Sequence, residues 1–272
     1  MRSLCLKARL EVFRWGAFVA GLSLDCFAAG EGHLGPLYRD ALVLRIFCCF
    51  RNWTAHDIAD TRQYSFDAHR VGTTLCTHCS AGEHITAALG TEVFLKLELM
   101  QRTGTFKFRG AINAMLNLAG PRAGVTAVSA GNRAVAVACA ASVLGIDAKV
   151  VMLASANTAR RQLTRSFDAQ ILFCDTGPEA FAQAKRLVEQ EGRTFVHPFD
   201  RPLVANATGG VGLELCADVA DLDAVVVAVG GGGLAGGFAA AVRQLQPQCR
   251  VYGVEPDGAM VVQQSLTAGE AL

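Results

Sequence analysis

The chain has no excess of either charge: 25 Lys and Arg stand against 24 Asp and Glu, a formal net charge of +1. There is no basic run, so nothing in the balance suggests nucleic acid or an anionic membrane as a partner. A membrane-spanning run is missing too. The most suggestive stretch, Trp15 to Leu24, imitates a signal peptide but is too short to cross a bilayer. No internal repeat or low-complexity linker appears. A second Cys-x-x-Cys is also missing. Cys76-x-x-Cys79 stands alone with His78 inside it, and a structural zinc site needs another pair. The ten cysteines have no disulfide-like regularity, and Cys48 is adjacent to Cys49. Reduced thiols in a cytoplasmic protein without a bound metal are the expectation.

What is present is apolar. The chain has 272 residues and is 51% hydrophobic, enough to bury a sizeable core in one large domain or two small ones. Its 28 glycines fit an α/β chain whose backbone approaches a ligand closely. From Val125 onward, apolar strands alternate with helical patterns. Strands are expected at Val125–Val128, Lys149–Leu153, Gln170–Cys174, Thr194–Val196, Ala224–Val229 and Arg250–Val254. Between them the pattern predicts helices, including an amphipathic one from Pro178 to Glu191 with Phe181, Ala184, Leu187 and Val188 on its inner face, and another from Gly209 to Val219. Such alternation implies β-α-β units and parallel sheets.

Everything is organised around Lys96 to Ala111, KLELMQRTGTFKFRGA. A short strand at Val93–Leu97 feeds a turn at Thr103-Gly104-Thr105, and a helix follows from about Phe106. Lys107 sits where that helix begins, in the partial positive charge of a helix N-terminus. Such a position lowers the pKa of an ammonium group, which a Schiff-base lysine needs. Without further context it would read as a surface lysine on a first helical turn.

The stretch resembles the lysine motif K-x-E-x-x-Q-x-T-G-S-F-K-x-R-G-A of the fold-type II enzymes that use pyridoxal 5′-phosphate (PLP). Ten positions match: Lys96, Glu98, Gln101, Thr103, Gly104, Phe106, Lys107, Arg109, Gly110 and Ala111. Thr105 replaces the usual Ser, one hydroxyl for another. The resemblance implies that Lys107 carries PLP and that Phe106 helps wall its ring.

Two further loops fit. Ser129-Ala130-Gly131-Asn132 follows a buried strand and opens a helix, at the strand end where α/β folds bind ligands. It resembles the family loop S-[SA]-G-N-H-[AG]-Q-[AG]. The resemblance implies that Asn132 bonds the PLP 3′-oxygen, and that Ser129 with the Ala130 and Gly131 backbone holds the substrate carboxylate. Arg133 replaces the usual His and Val135 the usual Gln. An arginine there either favours substrates with a second acidic group or points into solvent. Racemases of the branch carry a Ser at the position of Ala130, and alanine carries no proton.

The second loop is Gly230-Gly231-Gly232-Gly233-Leu234, after a strand and before a helix. Consecutive glycines let several backbone N–H groups converge on a phosphate, with the helix dipole adding attraction. The spacing is not the dinucleotide G-x-G-x-x-G, although Glu255 lies near the distance at which an acid would bind a ribose. The loop matches the family's G-G-G-G-[LM].

Glu255-Pro256 resembles the family's V-E-P. In some relatives this acid begins a cation site, but Ala259 and Val261 stand at its other two positions, so the third ligand is missing. His197-Pro198-Phe199-Asp200 resembles H-P-F-D. Ala207-Thr208-Gly209-Gly210 departs from the family's G-Q-G-T, while Glu214 keeps its place.

The resemblance covers about the last four-fifths of the chain and begins near His56. Asp57-Ile58 and Thr61-Arg62 resemble the helix before the T-P-L turn, here Thr73-Thr74-Leu75. Residues 1–55 are expected to be an atypical extension. Residues 56–121 and 200–272 are expected to form a larger PLP-binding domain, truncated before the family's pyridine-nitrogen partner, and 122–199 a smaller domain, with PLP in the cleft. Within fold-type II the motifs point to the threonine/serine dehydratase branch, including hydroxyectoine-utilisation dehydratase-like proteins. The implied activity is a β-hydroxy amino acid converted to a 2-oxo acid and ammonia by a cytoplasmic homo-oligomer. β-Replacement, as in cysteine or threonine synthesis, and a truncated non-catalytic copy are the alternatives.

Overall fold

The computed structural model describes residues 9–15, 42–45, 74–118, 123–197 and 202–270, with 9–15, 42–45 and 202 as backbone only. The sequence readings at Asp57–Arg62, Thr73 and Pro198–Asp200 lie outside the described residues. The elements run β1 (Arg9–Trp15), β2 (Leu42–Arg45), β3 (Cys79–Ala81), α1 (Glu83–Leu89), β4 (Phe94–Lys96), α2 (Lys107–Leu116), β5 (Val125–Val128) and α3 (Asn132–Leu144). There follow β6 (Ala148–Leu153), α4 (Thr158–Arg165), β7 (Gln170–Cys174), α5 (Gly177–Glu191), β8 (Thr194–Phe195), α6 (Pro202–Asp218), β9 (Ala224–Ala228), α7 (Gly233–Leu245), β10 (Arg250–Pro256) and α8 (Val261–Ala268).

These elements form two compact units. The first holds β1, β2, His78–Leu97 and the chain from Gly209 onward. Its sheet has the order β2-β1-β10-β9, with β10 parallel to both β1 and β9 and only β2 antiparallel. α7 packs Phe238, Ala239 and Val242 against Val225, Val227 and Val251 of the sheet. A short antiparallel pair, β3 with β4, lies beside it in sequence. Lys96 leaves β4 to meet Glu214 and Asp218 of α6, each at 3.1 Å.

The second unit includes Glu98–Thr208 and the short stretch Thr74–Thr77. Its sheet, β7-β6-β5-β8, is wholly parallel. Parallel strands need crossover helices, and α3, α4 and α5 are those crossovers. α3 is unusual in its side chains. Ala134, Ala136, Ala138, Ala140 and Ala141 are all buried, with Val135, Val137 and Cys139 between them. Such small residues let neighbouring backbones approach closely at no rotamer cost. Phe108, Ile112 and Met115 of α2 and Val125, Val150 and Met152 of the sheet complete this core.

α5 begins as its sequence dictates. The Thr176 hydroxyl accepts from the Glu179 N–H, and the Glu179 carboxylate accepts from the Thr176 N–H, a reciprocal cap. Its inner face differs from the sequence reading. Ala180, Ala184 and Leu187 are buried, whereas Phe181 is 56% and Val188 37% exposed. The buried stripe follows the i, i+4, i+7 spacing, and residues one step further round the helix fall outside it. α6 also differs, starting at Pro202 rather than Gly209. Proline's fixed φ suits a first helical position, a signal outside the glycine pattern on which the later start rested.

Candidate active site

Lys107 is the first residue of α2, and Phe106 is its N-cap. The Thr105 hydroxyl accepts a hydrogen bond from the Lys107 N–H at 3.0 Å, so the threonine does the capping work of a serine. The lysine side chain is half-buried, with its ammonium nitrogen 4.7 Å from the centroid of the Phe106 ring. Burial holds its pKa below the ordinary lysine range, and the positive charge of Arg133 adds to that effect.

A clasp fixes the chain on either side of the lysine. The Arg109 guanidinium donates from Nε to Glu98 Oε2 and from Nη2 to Glu98 Oε1, both at 2.8 Å. The Thr77 hydroxyl donates to the same carboxylate at 2.6 Å. Gln101 closes the ring, accepting from the Leu75 N–H at 3.1 Å and donating to the Leu75 carbonyl at 2.9 Å. Three motif residues that the sequence left without roles, Glu98, Gln101 and Arg109, are therefore architectural. Leu75 belongs to the turn that resembles T-P-L, but its backbone contact and the lone hydroxyl of Thr77 have no pattern of their own. Gly110 is required by close approach. A Cβ built there would lie 2.9 Å from Val204 Cγ1, at the start of α6.

In the same unit β5 ends at the Ser129–Asn132 loop. Ser129 Oγ accepts from the Gly131 N–H at 3.1 Å, which fixes the loop where α3 begins. Ala130 is exposed, and Ser129, Gly131 and Asn132 are half-buried. Arg133 is only 4% exposed, so its side chain does not run into solvent. Its Nη2 donates to the His197 carbonyl beyond β8, while Nε and Nη1 are buried with no hydrogen-bond partner among the described residues. Burial lowers the guanidinium pKa to about 10.

In the first unit β9 leads into Gly230–Gly233 and α7. Gly232 has φ +75°, a left-handed backbone that strains any other residue. It is the N-cap of α7 and has no side chain with which to cap it. A Cβ built at Gly230 or Gly232 meets nothing within 4 Å among the described residues. Leu234 is half-buried on the next turn. Glu255, at the end of β10, is 1% exposed. Its two carboxylate oxygens accept from the Val262 and Gln263 N–H groups, each at 3.0 Å, and so cap α8. That local bonding is the acid's role here. Cys76 and Cys79 do not form a disulfide. Among the described residues no helix is long and apolar enough to cross a membrane.

Residues 70–272 match the family model described as pyridoxal-phosphate dependent enzyme. A phenylserine dehydratase of Ralstonia pickettii is 48% identical over 182 residues, 66% of this chain and 56% of that protein. A catabolic L-threonine dehydratase of Escherichia coli is 42% identical over 182 residues, 66% of this chain and 55% of that protein. The chain thus spans little more than half the length of these relatives. Among solved structures, threonine deaminase isoform 2 of Solanum lycopersicum superposes with a TM-score of 0.76 at 31% identity, covering 81% of this chain and 65% of that one. With three-quarters of its length matched, the chain belongs to the family of pyridoxal-phosphate dependent enzymes and has their fold-type II architecture of parallel α/β sheets.

Proposed function

We propose that this protein is a PLP-dependent dehydratase that converts a β-hydroxy amino acid of the threonine/serine type to a 2-oxo acid and ammonia. The observation that carries the reading is Lys107. Its half-buried amine has a lowered pKa and stands at a helix start inside a ten-position family motif. The dehydratase names of the relatives support the reaction type. The residues present fit the cofactor. Lys107 supplies an amine held toward its nucleophilic form. The Gly230–Gly233 loop is open where a Cβ would otherwise project, at the N-terminus of a 13-residue helix that favours an anion.

In this reading Lys107 and Phe106 hold the cofactor ring, Asn132 bonds its 3′-oxygen, and Gly230, Gly231, Gly232, Gly233 and Leu234 cradle its phosphate. When bound, PLP serves as an electron sink for charge developing at the substrate α-carbon. The Lys107 amine takes the α-proton. Ser129, Ala130 and Gly131 orient the substrate carboxylate. Loss of the β-hydroxyl and hydrolysis of the released enamine give the 2-oxo acid and ammonia, water being lost and then regained. Ala130 offers no second base, which favours elimination over racemisation. A cytoplasmic homo-oligomer acting on a free amino acid belongs to the same reading.

The test is a visible absorbance spectrum after PLP addition, then a screen of threonine, serine, phenylserine and 3-hydroxyaspartate for 2-oxo acid release, with and without sulfide. Release without sulfide is expected. Turnover only with sulfide would mark a β-replacement enzyme, and a colourless protein a non-catalytic fold. Gly230→Asp tests the phosphate loop. Its Cβ has room, so the variant folds, but a carboxylate then faces the phosphate. Like charges at that range cost on the order of 2–4 kcal/mol. PLP affinity measured by titration should fall about 30-fold or more. An unchanged affinity would remove the loop from the cofactor site. Gly232 is a poorer place for this test, because its left-handed φ would strain the fold as well.

A further inference from the structure

The family usually has a histidine where this chain has Arg133, and Arg133 does not behave as a surface residue. Its guanidinium is buried, and one N–H is spent on the His197 carbonyl. Among the described residues Nε and Nη1 have no hydrogen-bond partner. A buried guanidinium without a counter-ion is costly, and proteins rarely keep one without use. Its location is fixed from the helix side. Nη1 lies 3.6 Å from a Cβ built on Gly110, one helical turn beyond Lys107 on the same face of α2.

We propose that Arg133 is a positioning residue for Lys107: tied to the His197 carbonyl and lodged against Gly110, its guanidinium sets a fixed positive charge beside α2 that acts on the Lys107 amine. This rests on the reading that Lys107 is the reactive amine. Among the described residues, the groups named next around α2 do not offset the charge. On α3 the remaining titratable side chain is Cys139. The first turns of α6, Leu203–Thr208, carry none. In the Thr74–Thr77 and Glu98–Met100 segments Glu98 is taken by Arg109, and Cys76 is exposed. The lowered pKa of Lys107, to which burial contributes first and Arg133 second, agrees with the arrangement. A group with 4% exposure leaves little surface for a substrate carboxylate, so the charge is directed at the protein's own lysine.

The sign follows directly. A nearby cation disfavours the ammonium form, so the amine becomes neutral at lower pH than a free lysine. Removing the cation moves that transition to higher pH. The measurement is reductive methylation of the cofactor-free protein by formaldehyde and cyanoborohydride across pH, read at the Lys107 peptide by mass spectrometry. Arg133→Met should move the Lys107 profile to higher pH, while Arg133→Lys keeps it near the wild-type position. If Met fails to fold by circular dichroism, Arg133→Gln, which retains a donor for the His197 carbonyl, serves instead and should shift the profile the same way. An unmoved profile in the neutral variant overturns the proposal. So does an equal shift in the Lys variant, because packing and not charge would then be the cause. The reading is independent of cofactor loading. Failure of Lys107 to bind PLP would overturn the proposed function while the methylation profile still decides the role of Arg133.

Discussion

Lys107→Ala is expected to abolish borohydride-reducible attachment of PLP and to remove dehydratase activity. The loss of proton transfer alone should lower kcat by roughly 10²–10⁴-fold, and the loss of covalent capture adds to it. The nearest alternative in the motif is Lys96, and its surroundings argue against it. Its amine is engaged by Glu214 and Asp218, each at 3.1 Å, and its side chain is 7% exposed. Paired with two carboxylates, that amine is already engaged within the protein. The check is mass spectrometry of the reduced holoprotein and of the variant. An adduct that persists in Lys107→Ala would place the cofactor on another lysine and undo the assignment.

The second large effect is on folding. Glu98→Ala leaves the Arg109 guanidinium, 3% exposed, without its bidentate partner. Stranding one member of a buried pair costs about 3–5 kcal/mol. For a chain of this size that lowers Tm by roughly 10 °C. The double variant Glu98→Ala with Arg109→Met should recover much of the loss, since no buried charge then remains unpaired. Cofactor binding should weaken in the single variant too, because Arg109 lies two residues beyond Lys107. A single variant that melts with wild type would show that the clasp contributes little.

The parallel sheets were legible because their strands are short apolar runs bounded by turns, and β5, β6, β7, β9 and β10 fall within a residue or two of where the pattern puts them. The start of α2 at Lys107 was legible from the turn that precedes it. Less visible were features that depend on tertiary partners. Phe181 and Val188 are apolar and periodic, yet the sheet receives Ala180, Ala184 and Leu187 instead. Periodicity specifies that a stripe exists, and packing selects which of two adjacent stripes turns inward. Glu255 looked like half of a cation site or a ribose acid until α8 supplied two N–H groups. Arg133 offered two readings, substrate and solvent, because the sequence does not reveal that the His197 carbonyl and Gly110 wait within its reach.

The start of α7 has a consequence for the whole molecule. Gly232 offers no side chain with which to cap the first turn. In the proposed site a cofactor phosphate would bind there, and the folded chain would bind it while the unfolded chain would not. Cofactor supply would then become a determinant of abundance. Free cofactor at a hundred times Kd would add about 2.7 kcal/mol to folding by mass action. In starved cells the same polypeptide would turn over faster, with no change to its gene.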